Sequence, residues 1–155
     1  MLTMYPDLNF PEVDIALIKK GDTFYVYDPI RKKDIILQPE EWVRQHVILY
    51  LAKYKSFPIN LMTEELSVNY GKLKKRIDLL IYDINLKPLM LAEFKSYNIA
   101  LSNETFLQAA VYNRIIKAPY LLISNGIKTI ATQVDFTTSS ISYLEETPDF
   151  KDIIY

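Results

Sequence analysis

Two apolar runs with charges set inside them constrain this chain most. Asp78 lies within Arg76-Ile77-Asp78-Leu79-Leu80-Ile81-Tyr82, and Glu93 and Lys95 close Pro88-Leu89-Met90-Leu91-Ala92-Glu93-Phe94-Lys95. Runs of this length, parted by the turn-forming Asn85-Leu86-Lys87, read as neighbouring strands. Strand side chains alternate, so Glu93 and Lys95 are expected on one face and Phe94 on the other. Setting a carboxylate and an ammonium beside a second buried carboxylate is costly unless they pair or hold a metal.

The surrounding pattern places these runs in a sheet. A further strand is expected from about Thr63 to Asn69, with Tyr70-Gly71-Lys72 as its turn. Both links are short, which predicts a three-strand antiparallel meander. The second and third strands are apolar on both faces in part and belong in the centre. Pro39 opens a helix, with Glu40 and Glu41 at the positive end of its dipole. Val43, Val47, Tyr50, Leu51 and Tyr54 form its apolar stripe, and it ends before Pro58. A second helix starts at Ser102 or Asn103 and stops before Pro119. Tyr120 to Ser124 then forms a buried strand, reached by a right-handed parallel crossover, and Ile127 to Val134 pairs back on it. Upstream, residues 1–12 read as a surface arm. A hairpin joins Ile15–Lys19 to Thr23–Tyr27 around Lys20-Gly21-Asp22, and Ile35-Ile36-Leu37 adds a short strand. The expectation is one α/β domain over residues 1–155: an N-terminal arm and hairpin (1–36), a mixed sheet flanked by helices (37–134), and a tail (135–155).

Composition narrows the chemistry. The chain has 155 residues, half of them hydrophobic, which suits a single core. A net charge of −1 gives no global basic field. Basic residues do cluster, at Arg31-Lys32-Lys33 and at Lys72, Lys74, Lys75 and Arg76. Each cluster reads either as a solvated turn or as a contact to phosphates. Cysteine is absent, so there is no disulfide framework, thiolate zinc site or thiol nucleophile. This fits a reducing cytoplasm. The start, Met1 to Asp7, lacks the pattern of a signal peptide, and no apolar stretch approaches the roughly 20 residues that cross a bilayer. A cytoplasmic protein away from membranes is expected.

Two acids and a lysine suit a divalent metal and a water beside a phosphodiester. Mg²⁺ prefers hard oxygen ligands and keeps several waters; Mn²⁺ can substitute. Asp78 and Glu93 can each give a carboxylate oxygen, and the Phe94 carbonyl another. Lys95 would stabilise developing charge beside the attacking water. Gln108, on the second helix, is placed to hydrogen-bond Lys95 or that water. Glu41 can add a carboxylate to the metal shell through water. Lys72, Lys74, Lys75 and Arg76 are placed to meet a phosphate backbone.

The ordered pieces Leu37-Gln38-Pro39-Glu40-Glu41-Trp42-Val43-Arg44-Gln45, Lys74-Lys75-Arg76-Ile77-Asp78-Leu79-Leu80-Ile81-Tyr82, Leu91-Ala92-Glu93-Phe94-Lys95, Gln108-Ala109-Ala110-Val111-Tyr112-Asn113 and Tyr120-Leu121-Leu122-Ile123-Ser124-Asn125-Gly126 resemble the PD-(D/E)xK nuclease superfamily. More narrowly, the chain resembles the N-terminal nuclease domain of type I restriction enzyme R subunits, in a small stand-alone bacterial form. The resemblance implies a restriction-endonuclease-like fold and a Mg²⁺-dependent endonuclease acting on DNA. It implies Asp78, Glu93 and Lys95 as the catalytic core and Gln108 as the auxiliary position. Glu41 matches the first-helix glutamate, with Glu40 as the alternative. Ile77 stands where the motif's name has proline. No glycine-rich phosphate loop is present, which leaves any motor or specificity subunit to a separate chain. A homodimer would suit cutting of both strands.

Each residue also has a plainer reading. Asp78 pairs with Arg76 or a neighbouring lysine, Glu93 and Lys95 emerge into solvent as an intra-strand pair, Gln108 is a surface glutamine, and Glu41 only serves the helix dipole. His46 reads as a core or boundary residue, and the tyrosines as packing residues. Two alternatives to a nuclease follow: a non-catalytic module that binds nucleic acid or a partner subunit with a remnant site, and a purely structural protein.

Overall fold

A computed structural model describes residues 4–154. Residues 1–3 of the expected arm and leaderless start, and residue 155 of the expected tail, lie outside them. Three short strands come first. β1 (Leu17–Lys20), β2 (Thr23–Asp28) and β3 (Lys33–Ile36) pair antiparallel in that order. Gly21, at φ 62, makes the first turn. Asp28 makes the second: its Oδ1 accepts from the N–H groups of Ile30 (2.8 Å) and Arg31 (2.9 Å), an Asx-type turn. The expected hairpin is thus part of a separate three-stranded sheet.

Helix α1 (Pro39–Tyr54) follows, with Pro39 in its first turn and Val43, Val47, Ile48 and Leu51 fully buried. Each such side chain contributes roughly 1.5–3 kcal/mol by leaving water. Tyr54 lies at the surface and donates to the Glu12 carbonyl (2.7 Å), which ties down the arm. The expected meander is β4 (Met62–Tyr70), β5 (Leu73–Tyr82) and β6 (Pro88–Phe94). Helix α2 (Asn103–Ile116) is capped by Ser102, whose Oγ accepts from the Thr105 N–H, and ends at Lys117 in a left-handed conformation. β7 (Tyr120–Ser124), β8 (Thr129–Asp135) and β9 (Ser140–Leu144) complete a six-stranded sheet in the order β4-β5-β6-β7-β8-β9. Only β6 and β7 run parallel, as the crossover requires. α1 covers one face of this sheet and α2 the other.

Residues 135–154 of the expected tail are more ordered than a tail. They carry β9 on the outer edge of the sheet and a turn of helix, α3 (Phe150–Ile153), which buries Phe150 and Ile153 in the α1-side core. Of the apolar members of β9, Ile141 and Tyr143 are exposed and Leu144 alone packs against the core. The strand therefore has no inward apolar stripe by which its sequence would announce it.

Alternation breaks once within the sheet. Met62, Leu79 and Ile81 pack on the α1 side, whereas Leu66, Val68 and Ile77 pack on the α2 side. Strict alternation would put Met62, Leu66 and Val68 together. The β4–β5 ladder pairs Glu64 with Leu79 and Leu66 with Ile77, and it skips Glu65 and Asp78. Glu65 has φ 55. One residue drops out of each strand, so register is kept while the facing inverts. Asp78 sits at that inversion.

A buried ionic cluster joins the small sheet to the large one. The Arg31 guanidinium reaches Asp28 Oδ2 (2.7 Å), Glu64 Oε2 (2.9 Å), Glu41 Oε1 (3.1 Å) and Glu65 Oε1 (3.5 Å). Gln45 Nε2 donates to Asp28 Oδ2 (3.0 Å). Burial works to raise Asp28, but hydrogen bonds from the Glu64 carboxyl and from Arg31 hold it down at about 2. Burial, and then Asp28, push Glu64 up to about 9. Asp28 therefore carries the charge and Glu64 the proton. Arg31→Ala leaves these carboxyls buried without their cation and is expected to cost about 3–5 kcal/mol, measured by denaturant unfolding at pH 7. Arg31→Lys should recover little, because one ammonium cannot span the fork that a guanidinium fills.

Candidate active site

β5 and β6 set Leu80 opposite Leu91 and Leu79 opposite Ala92. The next step of the same register brings Asp78 against Glu93. The Phe94 N–H donates to Asp78 Oδ2 (2.8 Å), so the end of β6 is fastened through the carboxylate. Phe94 meets the site by its N–H, while its ring enters the α1-side core. The other oxygen, Asp78 Oδ1, lies 3.4 Å from Arg44 Nη2. Arg44 also reaches Glu40 (3.3 Å), Glu41 (3.6 Å) and Glu65 (3.6 Å). Asp78 does have a structural partner, but it is Arg44; Arg76 turns instead to Glu65 at 3.1 Å.

Glu93 is 7% exposed, and its Oε1 has no hydrogen-bond partner. The nearest cation is Lys75 Nζ at 3.7 Å. Burial pushes Glu93 up to about 8, with further upward force from the charge and hydrogen bonding of Asp78, against the pull of Lys75. Burial beside a second acid thus favours the protonated form of Glu93 at neutral pH.

Lys95 lies one residue beyond the end of β6, so strand alternation does not place it. The shared face expected for Glu93 and Lys95 therefore rests on one step past the assigned strand. Its N–H donates to the Ser124 carbonyl (3.0 Å), which continues the contact to β7. The Asn125 side chain steadies the same region: its Nδ2 donates to the Ile99 carbonyl (2.8 Å) and its Oδ1 accepts from the Ile127 and Lys128 N–H groups. Among the described residues no hydrogen bond or ion pair joins Lys95 to Asp78 or Glu93. Its charge is felt by Glu40. Burial and then Asp78 raise Glu40, and Arg44 and Lys95 pull it down. Glu40, Asp78 and Lys95 thus share one electrostatic neighbourhood.

The two first-turn glutamates divide. Glu41, expected to face a metal shell, is held by Arg31 and lies within 3.4 Å of Gln45. Glu40 pairs with Arg44 (3.3 Å), which also reaches Asp78, and feels the charges of Asp78 and Lys95. Successive helical residues point about 100° apart, so one glutamate serves the ionic cluster and the other the site. Gln108 also lies elsewhere than expected. It is exposed and shares a groove with Lys75 and Tyr112, and it makes no hydrogen bond to Lys95. Of the basic residues, Lys72 and Lys74 are exposed on the β4–β5 hairpin, Lys75 is drawn to Glu93, and Arg76 to Glu65. Arg31 is not in a solvated turn but within the ionic cluster. His46 is half-buried against Trp42 and is a boundary residue, as expected.

Sequence reasoning overlooked Arg44 as a partner of Asp78 and Lys75 as a partner of Glu93, and it held Glu40 only as the alternative to Glu41. A trace of Arg44 was legible, since it adjoins the apolar stripe of α1 where solvent is excluded. Among the described residues no three Asp, Glu or His side chains form a metal-holding cluster. The protein donors on hand are two carboxylates and nearby backbone. That fits an ion that keeps most of its waters, as Mg²⁺ does, and Glu93 Oε1 is a buried acceptor without a donor.

A model of the family described as the type I restriction enzyme R protein N terminus matches residues 39–148. That stretch runs from α1 past β9 and contains all the residues of the candidate site; it omits β1–β3. Among solved structures, the fragment of an HsdR subunit of a type I restriction enzyme from Vibrio vulnificus YJ016 superposes with a TM-score of 0.55 at 21% identity. The alignment covers 76% of this chain and 24% of that one, so the chain spans about a quarter of its neighbour's length. The likeness is one of fold. No curated protein matches the chain.

The raised Glu93 makes stability pH-dependent. The native state keeps a proton that the unfolded chain releases above about 4.5, so this group's contribution falls as pH rises toward about 8 and is lost beyond it. Glu93→Gln, neutral throughout, is expected to melt increasingly above the wild type from pH 5 to pH 9 in metal-free buffer. A constant difference across that range would contradict the assignment.

Proposed function

The chain belongs to the type I restriction enzyme R protein N-terminal family, and we propose that it is a metal-dependent nuclease that hydrolyses DNA phosphodiester bonds. The family points to a restriction-nuclease-like role. The finer reading, a PD-(D/E)xK site on a restriction-endonuclease-like fold, is supported by the order of elements: helix, meander, helix, parallel strand. The observation that carries it is Glu93 Oε1, a buried acceptor with no donor, beside a second carboxylate. Such a pair is costly in the absence of a cation.

Asp78, Glu93 and the Phe94 carbonyl would hold Mg²⁺, or Mn²⁺ in its place. A bound ion supplies Lewis acidity at the scissile phosphate and an activated water. Around it, the Phe94 N–H and Arg44 orient Asp78. The Lys95 ammonium stabilises charge developing on the attacking and non-bridging oxygens. Glu40, rather than Glu41, supplies a further acceptor on that side. Lys72 and Lys74 meet the DNA backbone from the hairpin, with Lys75 and Arg76 behind them. Gln108 serves the substrate side of the site. In this reading two copies act together to cut both strands.

A second reading has a specific observation in its favour. Each acid already has a cation, Arg44 for Asp78 and Lys75 for Glu93, as a remnant site in a non-catalytic nucleic-acid-binding or partner-binding module would have. Plasmid cleavage tests the first reading. With Mg²⁺ or Mn²⁺ the wild type should nick, and Asp78→Ala and Lys95→Ala should each lose at least about 10²-fold, the scale on which such groups act. Equal activity in all three discards it. Calorimetry that finds no Mn²⁺ binding at millimolar concentration favours the module.

A further inference from the structure

We propose that the groove between the β4–β5 hairpin and α2 is a stacking subsite for an unpaired nucleotide, so that the preferred substrate is DNA with a single-stranded stretch at the site. This rests on the nuclease reading and names its substrate class. The groove, of about 370 Å³, is lined by Tyr70, Leu73, Lys75, Gln108, Val111 and Tyr112. That volume suits a small ligand. Tyr70 is 44% and Leu73 63% exposed. The two rings lie 6.5 Å apart at 76°, so an entering base can stack on one and meet the edge of the other.

Lys75 fixes where this groove stands. Its Nζ is 4.6 Å from the centre of the Tyr112 ring and 3.7 Å from Glu93 Oε1. One ammonium therefore touches both the aromatic wall and a proposed metal ligand. A strand whose phosphate lies at Asp78 and Glu93 has its neighbouring base within reach of the tyrosines. Lys72 and Lys74, exposed on the same hairpin, give the approach a positive charge that the whole chain lacks. Gln108 offers an amide that both donates and accepts, which suits the edge of a base. Within a duplex the base faces are already covered by each other, so only an unpaired base presents a face to a tyrosine.

The test measures binding in EDTA, where no cleavage occurs, by anisotropy of labelled single-stranded, overhang-bearing and blunt duplex DNA of one sequence. Stacking on aromatic side chains accounts for roughly 1–3 kcal/mol per base, about five- to 150-fold. Wild type should bind the single-stranded and overhang DNA at least tenfold more tightly than the blunt duplex. Tyr70→Ala and Tyr112→Leu should each bring that ratio below about threefold, and Tyr112→Phe should keep it. Tyr70 lies at an exposed hairpin end, so its variant retains the fold even if Tyr112→Leu does not, and thermal melting checks both. Equal binding to all three DNAs, no binding to any, or an unchanged preference in a folded Tyr70→Ala overturns the proposal. Failure of the two readings is distinguishable: a preference for unpaired DNA in a protein that never cleaves keeps the stacking groove but removes the nuclease reading on which the substrate class rests, while cleavage without preference removes the groove alone.

Discussion

Two guanidinium groups, Arg44 buried and Arg31 half-buried, tie this molecule together. Arg31 closes the small sheet onto α1 and β4, and Arg44 carries the connection from α1 to Asp78. Glu41 and Glu65 touch both arginines. The chain Asp28–Arg31–Glu41–Arg44–Asp78 is therefore continuous from the N-terminal strands to the candidate site. Buried ion networks are weak evidence for net stability, but losing one member leaves the rest uncompensated. Their effect here is positional. The first 36 residues lie outside the matched family region, yet they supply the cation that holds the first-helix glutamate away from the site.

The same logic explains why the acids stand where they do. A carboxylate buried next to another cannot ionise freely, and the fold answers with one cation for each. Arg44 and Lys75 approach from opposite faces of the sheet, because Asp78 lies where the facing inverts and Glu93 follows Leu91 toward α2. The acids thus meet at the sheet with cations on either side of it. A ligand bound between them would meet α1 chemistry on one side and the tyrosine groove on the other.

Much of this was legible in the residues. The helices and central strands followed from apolar spacing and from punctuation by Pro39, Ser102 and Pro119. The approach of Asp78 to Glu93 followed from a short turn between two strands. What escaped had physical reasons. Nothing in the identity of Glu65 announces a positive φ, which is usually signalled by glycine or asparagine. Lys95 belongs to the strand pattern in sequence and its N–H still reaches Ser124, but no hydrogen bond or ion pair among the described residues ties its ammonium to the acids. Adjacent glutamates at a helix start are indistinguishable until neighbouring elements choose between them, and Arg31 made that choice. β9 went unread because only Leu144, at its last position, packs against the core, while Ile141 and Tyr143 face outward.

The paired omission of Glu65 and Asp78 from the ladder has a consequence for how such a hairpin can evolve. Because each strand gives up one residue, the two deviations cancel and all contacts toward the Tyr70–Leu73 end stay in step. An insertion or deletion of a single residue in one strand alone would leave the other uncompensated, turning Lys75 and Ile77 outward and drawing their neighbours in. Substitutions along this arm are absorbed locally, whereas changes in its length are not. Variation between relatives should accordingly collect at the hairpin tip, or else arise as matched changes in both strands.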